Sequence, residues 1–330
     1  MPPYTVSVSY DSTPGNAAHG TTAQGIIPGW WIALAILGSF TTFAVLMQSA
    51  DLHIDPVAPA SLIFAACFAV AGGVRWVLRH PRSGAERTTR DVAEYYSLFT
   101  IIALIGATSC YPLAAMTHGF ADAGLQRADT AMGFDWLAWY RTVAAHPVLQ
   151  WLGTAAYQSI FVTPAAILAY FAWSDDRARA RRFLASFWLA AVAALTLYVF
   201  VPAVGPLAYL WHGPLPYVPE SGLYQQQLIP LLRAHGLHVV DLGHLRGLVC
   251  APSFHTASAV LFVAAAWPIK RLRWPVVVIN TLMLMATPVE GTHYLSDMIL
   301  GAAIAFASLK AVDQICRRLA RPRGAVAALV

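Results

Sequence analysis

The stretch "CAPSFHTASAVLF", Cys250 to Phe262, begins with a proline, a serine and a histidine and then turns apolar. Pro252 suits the first turn of a helix, and the residues that follow carry the apolar run to about residue 269. That length is close to the roughly 20 apolar residues that cross a bilayer core. The composition of the chain agrees with a membrane reading. Of its 330 residues, 58% are hydrophobic and 11% charged, less than half the share of about 25% charged residues in soluble domains. Working outward from the quoted stretch, apolar runs of spanning size occur at about 28–48, 57–79, 95–116, 148–173, 183–201, 252–269, 274–290 and 292–311. The run 274–290 is the shortest and has Pro275 and Pro288 near its ends. The expected fold is therefore all-α, a polytopic membrane helix bundle of about eight transmembrane helices.

The net charge is +5, yet its placement argues against nucleic acid as a partner. Seventeen of the 21 Lys and Arg fall after spans 2, 4, 6 and 8, on one side of a chain that crosses eight times. The other side keeps Arg127, Arg141, Arg233 and Arg246. Basic loops stay cytoplasmic, so both termini are expected inside, with loops 117–147 and 202–251 outside. A weak contact with anionic lipid is compatible with this pattern. Nineteen Arg against two Lys point to a GC-rich genome and so to a bacterial inner membrane.

Residues 1–27 are polar and lack Lys and Arg, which reads as a disordered cytoplasmic tail. The absence of a basic n-region argues against a cleaved signal peptide. The four cysteines form no CxxC pair, and the spacing gives no metal or redox motif. Cys110 and Cys250 both fall near the outer face, where a disulfide is one option. Residues 128–147, rich in Trp and Tyr, are too polar to span. They read as an interfacial helix on the outer surface, with a cap packed on other loops as the alternative. Five prolines between Pro202 and Pro219 exclude a long helix there.

Ionisable residues inside membrane spans are functional by default. Asp297 is the one carboxylate well inside an expected span, four residues after His293 in "EGTHYLSDMILGA". Positions i and i+4 share a helix face, so Asp297 can hold one ring nitrogen of His293 and leave the other with its lone pair free. Such a histidine is a competent base or nucleophile. His255 takes the matching place on span 6, at the same outer mouth. The unpaired amides of the helix start beneath it favour an anion, Ser253 adds a hydroxyl, and His255 can protonate a leaving group. The readings without function are a solvated interfacial histidine and a simple serine cap. Finding all three residues on one side at one depth outweighs them.

"PSFHTA" followed by "GTHYLSD" resembles the second and third motifs of the type 2 phosphatidic acid phosphatase superfamily. The His-Tyr-x-x-Asp spacing of His293, Tyr294 and Asp297 is similar to the branch holding inositol-phosphorylceramide synthase and sphingomyelin synthase, in bacterial form. The resemblance covers roughly residues 95–311, a six-helix core. Residues 28–94 are then two added helices with a basic cytoplasmic loop, and 312–330 a basic tail. It implies an integral membrane lipid phosphatase or phosphotransferase. His293 attacks phosphorus to give a phosphohistidine, Asp297 orients and charge-stabilises it, and His255 protonates the leaving group and activates the acceptor. The substrate is a lipid phosphate or phosphodiester with, for transfer, a lipid alcohol acceptor; no cofactor and no metal are implied. The superfamily's first motif, with a Lys and an Arg-Pro pair, is missing, and Thr287 stands where the third motif has an Arg. Developing phosphate charge needs donors, and Arg246, nine residues before His255, is the first candidate with Arg141 in reserve. Glu290 is a weaker candidate to orient a histidine. A transporter or non-catalytic lipid-binding protein is the alternative class, but it calls for charged or broken helices near the midplane. Here the ionisable residues gather at one end.

Overall fold

A computed structural model of the protein describes residues 25–320. Most of the two expected tails, 1–24 and 321–330, lie outside the described residues. Among the described residues there is no β-strand, only an isolated bridge between His53 and Val239. The helices are α1 (Gly29–Ser49), α2 (Pro59–Val77), α3 (Gly84–Ala115), α4 (Asp122–Ala131), α5 (Trp136–Ala145), α6 (Pro147–Trp173), α7 (Arg177–Tyr198), α8 (Pro206–Leu210), α9 (Tyr224–Arg233), α10 (Phe254–Ala266), α11 (Lys270–Glu290) and α12 (Leu295–Ala320). Seven of them, α1, α2, α3, α6, α7, α11 and α12, are long and apolar enough to cross a membrane. The protein is an integral membrane helix bundle.

The expected sixth span differs. Its helix, α10, has 13 residues, a length of about 20 Å against a hydrocarbon core of about 30 Å. Ser253 caps its start and Pro268 follows its end. Despite its shortness α10 is central, packing against α6, α7, α11 and α12. Ala257, Leu261, Phe262 and Ala266 enter the main core with Phe183 and Phe187 of α7 and Ile304 and Ala305 of α12.

Other boundaries move for local reasons. The basic stretch after α2 joins the next span as one helix of 32 residues, because Ser83 accepts from the Glu86 amide (3.2 Å) and Glu86 accepts from the Arg82 amide (2.6 Å). This is a capping arrangement that starts α3 well before its apolar part. The expected boundary at residue 94/95 therefore falls within α3. Residues 312–320, expected in the tail, continue α12, and Ile27 packs against Val312 and Cys316. The expected interfacial helix at 128–147 is two helices, parted at Gly133, where φ is 75°, and restarted by Asp135, which accepts from the Ala138 amide at 3.0 Å. It does not lie free on the surface. Trp136, Tyr140 and Val143 are buried against Leu207 and Val289, and the Trp136 indole donates to the Pro288 carbonyl at 2.8 Å. Burying three aromatic or branched side chains stabilises this packing more than an interfacial position would. All four cysteines are free.

The connections 50–58, 116–146, 199–253 and 291–294 meet at one end of the bundle. His53 bonds His238, Arg233 bonds Thr117 and Gly119, and Asp122 bonds Val204 and Gly205. At the other end the basic side chains pair with acids, as in Arg75–Glu94, Arg87–Asp175, Arg90–Asp91 and Arg182–Asp313.

Candidate active site

His293 lies in the four-residue turn between α11 and α12. The turn is tight: Thr292 takes a left-handed φ of 50° and the His293 amide donates to the Pro288 carbonyl at 3.1 Å. The side chain of His293 is nearly enclosed, and Asp297, in the first turn of α12, is fully buried. Nδ1 of His293 is 2.9 Å from Oδ1 of Asp297. The other carboxylate oxygen accepts from the Tyr294 amide at 2.7 Å and from the Cys250 thiol at 3.7 Å. Burial, and then the Asp297 and Asp122 carboxylates, push the Cys250 thiol well above its ordinary value. It stays protonated and acts as a donor. With Nδ1–H committed to the carboxylate, the lone pair of His293 is at Nε2.

His255 is in the first turn of α10, with its ring centroid 6.3 Å from that of His293. The helices that hold His255 and Asp297 touch directly. The Ser253 amide donates to the Asp297 carbonyl at 3.1 Å. Gly301 faces the Ser253 carbonyl so closely that a Cβ there would collide with it. Tyr157 of α6 stacks on His255, with ring centroids 3.9 Å apart and an interplanar angle of 16°, and its hydroxyl is 3.2 Å from Nδ1.

Sequence reasoning missed Tyr157 and two carboxylates of α4. Asp129, fully buried, accepts from the amides of Leu295 (2.7 Å) and Ser296 (2.8 Å). These are orphan donors at the start of α12, so a side chain from another element caps the helix that carries Asp297. Asp122, seven residues earlier on the same face, accepts from the amides of Val204 and Gly205 (both 3.0 Å) and from the Tyr294 hydroxyl (2.9 Å). Burial raises its carboxyl pKa, and these three donors oppose the rise. The one signal in the sequence was the i, i+7 spacing of the two acids. Asp129→Ala leaves two half-buried amides unpaired and is expected to cost about 2–4 kcal/mol. Thermal unfolding in detergent checks this, and an unchanged midpoint would contradict the capping role.

The substrate-binding candidates divide. Ser253 is fully buried and its hydroxyl accepts from the Thr256 amide (3.3 Å), so it caps α10. Arg246 lies with its guanidinium 4.1 Å over the Tyr224 ring, and its amide donates to the Tyr111 hydroxyl at 2.8 Å. Arg141 is exposed on α5. No hydrogen bond joins either arginine to the two histidines. Thr287 is buried and donates to the Met283 carbonyl of its own helix at 2.7 Å. Glu290 does not touch a histidine: it accepts from the Tyr217 hydroxyl (2.7 Å) and the Glu220 amide (3.1 Å), which straps the proline-rich loop onto the end of α11. Ligand atoms of Cys250, His293 and Asp297 lie within 4.8 Å of one another. The carboxylate is already engaged by N–H and S–H donors and the thiol is held protonated, which fits a hydrogen-bond network better than the deprotonated ligands of a metal centre.

Comparison with known proteins adds a family. A family model described as the PAP2 superfamily matches residues 123–311, from α4 into α12. The match spans more than half of the chain and contains His255, His293 and Asp297. No curated protein and no solved structure matches the chain. A membrane helix bundle matched over this length belongs to the PAP2 superfamily, and phosphatase-type chemistry on a lipid phosphate comes with that membership.

Proposed function

We propose that the protein transfers or hydrolyses the phosphoryl group of a membrane lipid phosphate or phosphodiester through a phosphohistidine on His293. One observation carries the reading: a histidine buttressed by a buried carboxylate faces a second histidine 6.3 Å away. Nε2 of His293 attacks phosphorus as the P–O bond to the leaving group breaks. His255, as imidazolium, gives its Nε2 proton to the departing oxygen. Asp297 stabilises the cationic ring that forms on His293. In the second step His255, now neutral, takes a proton from water or from a lipid alcohol as it attacks the phosphohistidine. Arg246 and Arg141 remain the candidate cations for the phosphate, by a movement of their side chains.

The branch with inositol-phosphorylceramide synthase and sphingomyelin synthase is favoured by the His-Tyr-x-x-Asp motif and by Thr287 in place of an arginine. On this reading residues 95–311 are the catalytic core and 28–94 an addition to it. The site faces the non-cytoplasmic side of a bacterial inner membrane. In support, the acid-paired arginines gather at the end opposite the histidines, as basic cytoplasmic loops would.

The test supplies the purified protein with phosphatidic acid, a polyprenyl diphosphate and phosphatidylinositol, each with and without ceramide or diacylglycerol. Free phosphate that is absent with His293→Ala identifies a hydrolase. A new phospholipid that needs the alcohol and the same histidine identifies a transferase. Equal products from wild type and His293→Ala would overturn the mechanism.

A further inference from the structure

We propose that Tyr157 is a positioning residue that fixes the Nδ1–H form of His255, so that proton exchange is confined to Nε2. The proposal rests on the phosphoryl-transfer reading above. Among the described residues His255 has no hydrogen-bonded carboxylate of the kind His293 has, and its ring nitrogen meets Tyr157. A histidine ring turns about its Cβ–Cγ bond in a broad, nearly two-fold well. Left alone, it could exchange the edges that carry Nδ1 and Nε2. The stack at 3.9 Å holds the plane of the ring, and the hydroxyl 3.2 Å from Nδ1 distinguishes one edge from the other.

The proton count selects the direction of that contact. An imidazolium that acts as the acid carries N–H at both nitrogens, so Nδ1–H donates to the Tyr157 oxygen. Loss of the Nε2 proton to the leaving oxygen then gives the neutral Nδ1–H ring, whose lone pair at Nε2 is the base of the second step. One tautomer serves both halves of the cycle. Burial and the neighbouring His293 hold the His255 pKa below its ordinary value, and the electron-rich phenol face offsets part of that cost for the cationic ring. The other ionisable groups around this pair are His293 and Asp297, Cys250 before α10, and Glu290 and Glu220 beside Tyr157. Tyr157 is held from outside α10, on a different helix from either histidine, so its substitution leaves the Asp297 network intact.

Tyr157→Phe keeps the stack and removes the oxygen. Nitrogen-15 histidine spectra of the full chain in nanodiscs, with the His255 signal assigned by difference from His255→Gln, report the tautomer without turnover. The expected result is an Nδ1–H ring in the wild type and a mixture, or the Nε2–H form, in Tyr157→Phe. An Nε2–H ring in the wild type, or no change on substitution, overturns the proposal. In assays, Tyr157→Phe should slow an alkyl phosphate by about tenfold, a fraction of what general acid catalysis supplies. An aryl phosphate, whose leaving group needs no proton, should stay within about twofold of wild type. The alkaline limb of the kcat profile should move to lower pH as the imidazolium loses an acceptor. Equal losses on both esters would mark Tyr157 as merely structural. If His293→Ala and His255→Gln kept full activity, the phosphohistidine reading would fail, and the spectra would still decide the tautomer.

Discussion

His293→Ala is expected to lower turnover of the lipid phosphate by at least about 10³-fold, since loss of a nucleophile removes the covalent route. Asp297→Asn is expected to come close behind. The carboxylate accepts at both oxygens, from His293 Nδ1 and from the Tyr294 amide, whereas a carboxamide has one accepting oxygen. Satisfying the Tyr294 amide turns the NH2 toward the ring, which then presents its lone pair at Nδ1 and its proton at Nε2. A carboxylate-to-amide change at a catalytic histidine lowers kcat by about 10⁴ through such a wrong tautomer. His293→Ala leaves one buried oxygen of Asp297 short of a donor, which costs about 1–3 kcal/mol. Phosphate release must therefore be compared at equal folded concentration, read by size exclusion. Retention of more than about a tenth of wild-type turnover by His293→Ala, where a nucleophile's loss should be severe, would sink the assignment.

The legible parts of this molecule were those set by local chemistry. Apolar runs mark helices that cross a membrane because the bilayer imposes a length, and seven such helices are present. The His293–Asp297 contact was legible because i, i+4 geometry belongs to any helix start. What failed to show was set by other elements. The length of α10 follows from Ser253 and Pro268 as local stops, and its place among four longer helices follows from packing. Asp122 and Asp129 look like surface acids of a polar loop until α12 and the 204–205 segment supply amides to them. Tyr157 is one aromatic among many in α6, and only the fold brings it onto His255. For residues 128–147 the sequence left an interfacial helix and a packed cap open for the same reason: an amphipathic face seeks apolar cover, and only the fold shows that α8 and α11 supply it.

Gly301→Ala is expected to lower stability and turnover together, and the sign of its effect on stability is the informative part. In a helix interior an exposed Gly→Ala change stabilises by about 1 kcal/mol. At Gly301 the added methyl collides with the Ser253 carbonyl. That carbonyl cannot step aside freely. The Ser253 amide is tied to the Asp297 carbonyl and its hydroxyl to the Thr256 amide, so relief requires α10 to move off α12. Overpacking of this kind costs about 1–3 kcal/mol. Because His255 rides on α10 while His293 and Asp297 belong to the start of α12, the same displacement separates acid from nucleophile. A shift of about 1 Å in a catalytic group can cost about 10²-fold in rate. Gly106→Ala in α3 is the control, since a Cβ there meets nothing within 4 Å. It should melt at or above the wild-type temperature with full turnover. Gly301→Ala should melt lower and lose turnover together. A Gly301→Ala protein as stable and active as the Gly106→Ala control would mean that the two histidines do not depend on the close approach of α10 to α12.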